Sequence, residues 1–352
     1  MNDLPKLERK HKLAILYLMV VSLIWGAAGP IIKLTLEYLP PFTFLFLRFL
    51  VATVFVLPFL IAEDHKHPVS RKDWVNLILL SFLGGTMTLA FVFLGFSYTS
   101  SLDGSIISAM SPIIILVASS KLLGEKISPN EKKGAIISLA GTFIIIIQPI
   151  LEVGLQGNTA SSLYRLLGNI LILASLITWT AYTIWSKKLF DHRPSKLGSF
   201  LHYFHLRSSL KEYSPFFVTG VLCLVSLISF TPLAAFELAT HSGFRTPSLQ
   251  NFQDAIEETY EFPQISSDMV KPIFGVFYMG IMSTLVAYGL YEWAIKQIPV
   301  AETAIFSYLA PIFAIPVAYI LLGEKISFWF IVGCVIIGYG VYISEKNRDK
   351  IQ

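Results

Sequence analysis

One seven-residue run occurs twice in this chain, and it limits the fold more than any other feature. Leu122-Leu123-Gly124-Glu125-Lys126-Ile127-Ser128 returns letter for letter as Leu321-Leu322-Gly323-Glu324-Lys325-Ile326-Ser327, 199 residues later. At the same offset Ser108 falls on Ser307, Pro112 on Pro311, Gly134 on Gly333 and Gly141 on Gly340. From Ser105 to Ile144, 15 of 40 positions are identical in that register. The chain therefore holds one unit twice, and the two copies must bury their apolar faces together.

Composition says what kind of unit it is. Of 352 residues, 54% are hydrophobic and 14% charged, where soluble domains carry about 25% charged. Mean hydropathy is +0.65. A helix crosses a bilayer core of about 30 Å in roughly 20 apolar residues. Ten runs reach that length, near 13–36, 41–62, 74–96, 103–123, 133–150, 166–186, 215–238, 272–295, 301–322 and 327–344. No alternating pattern competes, and lipid forces backbone groups to pair within the segment, so the runs predict helices rather than a barrel. The first run contains Trp25 and Pro30 and lacks a small-residue cleavage site, so it reads as a retained span.

Loop charge sets the orientation. With a cytoplasmic N-terminus, 21 of the 27 Lys and Arg lie inside, five outside, and Arg48 within a span. That asymmetry places both termini in the cytoplasm. Five spans per unit is an odd number, so the second unit enters from the opposite side. The predicted fold is an all-α integral membrane protein of ten transmembrane helices, built as two inverted five-helix repeats over 13–150 and 163–345. Weaker matches agree. Trp25 and Lys33 fall on Trp179 and Lys187 at offset 154; Pro41-Phe42 and Pro58 fall on Pro215-Phe216 and Pro232 at offset 174. Two insertions stretch the offset. Residues 191–213 are basic and aromatic and suit the anionic inner leaflet. Residues 239–270 are acidic and read as a solvated outer loop or a lid; 248–260 suits a short surface helix.

Several marks occur together at regular intervals: Trp25-Gly26, Pro41, Arg48-Phe49, Pro112 with Leu122-Leu123-Gly124-Glu125, and Pro311 with Leu321-Leu322-Gly323-Glu324. Over about 13–345 they make the chain resemble the EamA-like transporters of the drug/metabolite transporter superfamily. The resemblance implies ten spans, a central pathway shared by the halves, and movement of small metabolites by alternating access. The expectation is a multi-pass secondary transporter of the cytoplasmic (cell) membrane that exports a small organic metabolite. Competing classes are a channel or uniporter, a membrane scaffold, and a lipid-processing membrane enzyme. The partners expected are a small-molecule solute and the lipid bilayer, with a homodimer as the assembly to consider. Nucleic acid is not expected, because the basic residues lie in short loops rather than on one face. There is no GxxxxGK[ST] loop. No Cys/His cluster has zinc spacing, and the histidines of 191–213 lack a partnering ligand. The reading therefore includes no cofactor, no metal and no enzymatic activity; Cys223 and Cys334 read as small buried hydrophobes.

Candidate functional residues follow from cost. Arg48 lies roughly 5 Å from the midplane at 1.5 Å per residue. A charge there is expensive and by default functional; the alternatives are a pathway group that attracts an anion, or a tie between helices. Its counterpart at offset 174 is Leu222. Glu292 is the acidic residue well inside a span, read either as an i,i+4 partner of Lys296 or as a proton-coupling carboxylate. Ser101, Ser105 and Ser108 share a helix face, matched in part by Thr303 and Ser307. Pro112 and Pro311 follow by four and predict interrupted helices, the best sequence pointer to a central site. Trp25, Trp179, Tyr182, Tyr288 and Tyr308 are candidate aromatic walls. Asp103 and Glu302 read as helix caps. Glu125 and Glu324 read as partners of nearby lysines or helix ends, and Gly134/Gly141 with Gly333/Gly340 as close helix contacts.

Overall fold

The computed structural model describes residues 4–66, 71–124, 129–156, 159–190, 214–240, 270–298 and 306–345. Glu125, Glu302, Thr303, the 248–260 segment, the bulk of both insertions and the side chain of Tyr308 lie outside the described residues. Every described element is helical. In order they are α1 (Leu4–Leu36), α2 (Pro41–Lys66), α3 (Arg71–Ser81), a π-helical segment (Phe82–Met87), α4 (Thr88–Tyr98), α5 (Ser101–Ser108), α6 (Ser111–Leu123), α7 (Pro129–Gln156) and α8 (Thr159–Phe190). There follow α9 (Pro215–Thr240), α10 (Val270–Phe277), a second π segment (Tyr278–Val286), α11 (Ala287–Gln297), a 3₁₀ turn (Phe306–Leu309), α12 (Ala310–Leu322) and α13 (Phe328–Glu345). Among the described residues, seven helical stretches are long and apolar enough to cross a membrane, and two shorter apolar helices accompany them.

The outside of the bundle is apolar and its inside holds polar groups. Phe59, Ile136, Ile228, Phe236, Ile320 and Phe328 are exposed, while Arg48, Asn169, Thr284 and Glu292 are fully buried. Leaving a large apolar side chain in water forgoes about 1.5–3 kcal/mol. Such a surface suits lipid, and the chain is an integral membrane protein.

Interruptions fall where small residues allow close approach. The first π segment carries Gly84, where a Cβ would run into the Tyr182 ring. In the widened turns the Thr88 and Thr284 hydroxyls donate five residues back, to Leu83 O at 2.9 Å and Met279 O at 2.7 Å. Pro112 and Pro311 do not sit mid-helix. They occupy the first turns of α6 and α12, where proline sacrifices no hydrogen bond. The breaks lie just before them, between α5 and α6 and at the 3₁₀ turn. The glycines of the repeated run stop those helices: Gly124 at φ +81° and Gly323 at φ +62° adopt the left-handed conformation that favours glycine.

Helices pair reciprocally. Along α7 and α13, a Cβ on Gly141 would sit 2.9 Å from Gly333 O, and one on Gly340 2.7 Å from Gly134 O. Ser138 Oγ donates to Ile337 O between these contacts. Along α2 and α9, the Glu237 carboxylate accepts from Phe42 N, Thr43 N and Thr43 Oγ1 at 3.1, 2.7 and 2.9 Å. Glu63, 174 residues earlier, accepts from Ser214 N and Ser214 Oγ. Each carboxylate thus caps the other helix's positive N-terminus. Glu324 does the same for α5, accepting from Ser101 N, Ser101 Oγ and Leu102 N.

Asp103 lies in the first turn of α5, as expected of a carboxylate at a positive helix end, but it is not the capping residue. Ser100 caps α5, accepting from Asp103 N. The Asp103 carboxylate instead pairs with Arg165 at 2.7 Å, because burial calls for a cation. Lys33 and Lys187 bind helix C-terminal carbonyls: Lys33 Nζ donates to Phe96 O, and Lys187 Nζ to Ile295 O and Ile298 O. Both place a positive charge where the helix dipole is negative.

Candidate functional site

These interruptions and pairings surround a central cavity of about 200 Å³. α1 supplies one wall from Leu18 to Ile32; α2 adds Arg48, and α4, α5, α6, α8, the second π segment, α11, the 3₁₀ turn and α12 supply the rest. Serine hydroxyls recur in the wall: Ser22, Ser105, Ser108, Ser111, Ser175, Ser283 and Ser307. Several of them spend their proton on backbone carbonyls. Ser22 Oγ donates to Phe306 O, Ser105 Oγ to Ser101 O, Ser108 Oγ to Gly104 O and Ser175 Oγ to Ile172 O. Their oxygens therefore keep lone pairs to offer.

Four rings pack together beside the cavity. Trp25 lies 5.4 Å from Trp179, 5.5 Å from Tyr288 and 5.3 Å from Tyr291; Trp179 lies 5.7 Å from Tyr288 and 5.2 Å from Tyr291. Such edge-to-face and offset pairs favour a rigid cluster. Trp25 Nε1 donates to Ser283 O at 3.1 Å, which fixes its ring.

Arg48 is the only charged residue among the described residues that line the cavity. It is fully buried. Its Nε and Nη2 both donate to Thr284 Oγ1, at 3.2 and 2.5 Å. Thr284 is oriented to accept because its own proton goes to Met279 O. The Phe93 ring lies 5.5 Å from the guanidinium carbon. Nη1 has no hydrogen-bond partner.

Glu292 sits behind the ring cluster rather than in the cavity wall. It does not reach Lys296. Its oxygens accept from Tyr182 Oη and Ser186 Oγ, the latter at 2.8 Å, because the α11 face carrying Glu292 turns inward toward α8. Tyr182, expected as a wall, is fully buried and holds Glu292 instead. Its ring packs at a tilt against Trp179, centroids 5.2 Å apart, and Trp179 in turn lines the cavity.

Of the residues singled out from the sequence, Trp25, Arg48, Ser105, Ser108, Trp179, Tyr288 and Ser307 meet at the cavity. Pro112, Pro311, Tyr182 and Glu292 stand one layer back. Sequence reasoning missed Thr284, Ser22, Ser175, Ser283 and Tyr291. One signal was available for Thr284: a buried arginine needs an acceptor, and Thr284 lies in the middle of the run 272–295.

The fold and site define a membrane-embedded helical bundle around a small central cavity. The EamA-like transporter family model matches residues 12–147 and 201–345. The chain belongs to that family. An uncharacterized transporter of Archaeoglobus fulgidus is 26% identical over 335 residues, covering 95% of this chain and 98% of the relative. The uncharacterized transporter YetK of Bacillus subtilis is 25% identical over 345 residues, covering 97% and 90%. A probable amino-acid metabolite efflux pump of Escherichia coli is 24% identical over 331 residues, covering 93% and 92%. A crystal structure at 19% identity shares the fold, with a TM-score of 0.57 over 94% of this chain and 97% of that one. The protein is a membrane transporter.

Proposed function

We propose that the chain is a ten-span secondary transporter whose two inverted halves rock about the central cavity and export a small organic metabolite across the cytoplasmic membrane. One observation carries the reading: sequence-equivalent positions meet at one cavity. Trp25 and Trp179 touch each other there, and Ser108 and Ser307 face it, each beside a helix interruption. Reciprocal contacts of Gly141 with Gly333, of Gly134 with Gly340, and of Glu63 and Glu237 with opposite helix starts support the inverted arrangement. The odd span count supports opposite orientation of the halves. The E. coli relative's name supports export. Lys and Arg asymmetry supports cytoplasmic termini.

Glu292 is the coupling group in this reading. It is a buried acid held by two hydroxyls, behind the ring cluster beside the cavity, and a proton on it is the charge a gradient can move. Counterflow in proteoliposomes tests the carrier. Preloaded unlabelled solute should accelerate entry of labelled solute, and entry should saturate. Linear, unsaturable flux would identify a channel; no exchange over a broad metabolite panel would end the carrier reading.

A further inference from the structure

The charge inventory of the cavity narrows its occupant. Arg48 brings one positive charge, and among the described residues no acidic side chain lines the wall. Thr284 is a neutral acceptor and occupies only the Nε–Nη2 edge. Nη1 remains, fully buried and unpartnered, on the residue that lines the cavity. A guanidinium in a dry site gains most from a charge-assisted bond to a carboxylate. Beside Ser111 Oγ, which is buried without a hydrogen-bond partner, the polar wall includes four serine oxygens, of Ser22, Ser105, Ser108 and Ser175, whose protons go to backbone carbonyls. Those oxygens accept; they suit a hydroxyl or amide N–H on the occupant.

We propose that the solute is an organic monoanion with an apolar body. One carboxylate sits on Nη1 of Arg48, a neutral donor group faces the serines, and the body lies against the Trp25–Trp179 rings. Net charge decides between close analogues. Counted over the described lining residues, a monoanion makes the filled cavity neutral, whereas a zwitterionic amino acid leaves +1 and a cation leaves +2 in a low-dielectric space. Uncompensated charge there is expensive. A dianion such as a phosphate monoester leaves −1. At about 200 Å³ the cavity is below the 300–1000 Å³ usual for drug-sized ligands, so the occupant is a small metabolite.

This rests on the transporter reading only for its flux arm; binding tests it separately. The full chain in detergent is melted with matched probes on valine, leucine and phenylalanine bodies. Each set contains the 2-hydroxy acid, the amino acid, the amino-acid amide and the neutral 2-hydroxy amide. The hydroxy acid should stabilise at tenfold or more lower concentration than the amino acid, with the cationic amide weakest. In Arg48→Gln the hydroxy acid and its neutral amide should become equal. If Arg48→Gln does not fold, Arg48→Lys should keep the charge order with weaker binding. Equal or tighter binding of the amino acid or its amide overturns the proposal, as does no stabilisation by any hydroxy acid. Hydroxy-acid binding without counterflow would sink the transport reading and leave the monoanion site standing.

Discussion

Gly141 offers the sharpest test of how the repeated unit is assembled. A Cβ there would lie 2.9 Å from Gly333 O, Ile337 N and Ile337 Cγ1, whereas ordinary contact begins at 3.4 Å. Two of those atoms are backbone and cannot rotate away. α7 and α13 must therefore separate by about half an ångström at the crossing. Overpacking of this kind costs about 1–3 kcal/mol. The Ser138–Ile337 bond, already 3.2 Å, would stretch, and interhelical bonds in membranes average about 0.6 kcal/mol. Alanine regains up to about 1 kcal/mol of helix propensity over glycine. Gly141→Ala should then lose about 0.5–2.5 kcal/mol, and Gly141→Leu, with a longer side chain against the same backbone, about 3 kcal/mol or more. Equilibrium unfolding in mixed micelles measures this. KM for counterflow should not change, because no described residue of α7 or α13 lines the cavity. Combining Gly141→Ala with Gly333→Ala should cost less or more than the sum, since both press on one gap. Wild-type stability in Gly141→Leu, or a changed KM at unchanged stability, would refute the argument.

Other consequences follow from single contacts. Glu237→Ala removes three hydrogen bonds at the start of α2 and should cost about 1–3 kcal/mol, read by faster amide exchange at Phe42 and Thr43. Gly323→Ala forces a side chain into the left-handed region and should lower stability by about 1–2 kcal/mol, with Gly323→Asn milder, both measured by melting. Glu292→Gln should keep the fold but abolish acceleration of transport by an imposed pH gradient; a gradient response equal to wild type would remove Glu292 from coupling.

Helix positions were legible because lipid leaves few options: an apolar run of about 20 residues must be a helix. The glycine contacts were legible too, since Gly134, Gly141, Gly333 and Gly340 lie two turns apart on one face of each helix. Glu292 shows the opposite. Its spacing to Lys296 suggested a surface pair, yet the direction in which α11 faces is set by packing against α8, and that face delivers Glu292 to Tyr182. Glu63 and Glu237 stand at apolar helix ends with no local signature, and their partners lie 151 and 194–195 residues away in sequence. Pro112 was located by sequence, but whether it kinked a helix or started one depended on the break before it.

By itself the sequence determined the repeat, the long apolar helices and the one arginine too costly to be accidental. Each of these depends on local composition or on one residue's transfer energy, which neighbours in space do not alter. Tertiary structure decided which hydroxyl meets Arg48, which of its nitrogens is left over, and which carboxylate caps which helix. Those outcomes depend on the rotation and depth of helices against one another, quantities fixed by packing across the bundle rather than by any stretch of chain.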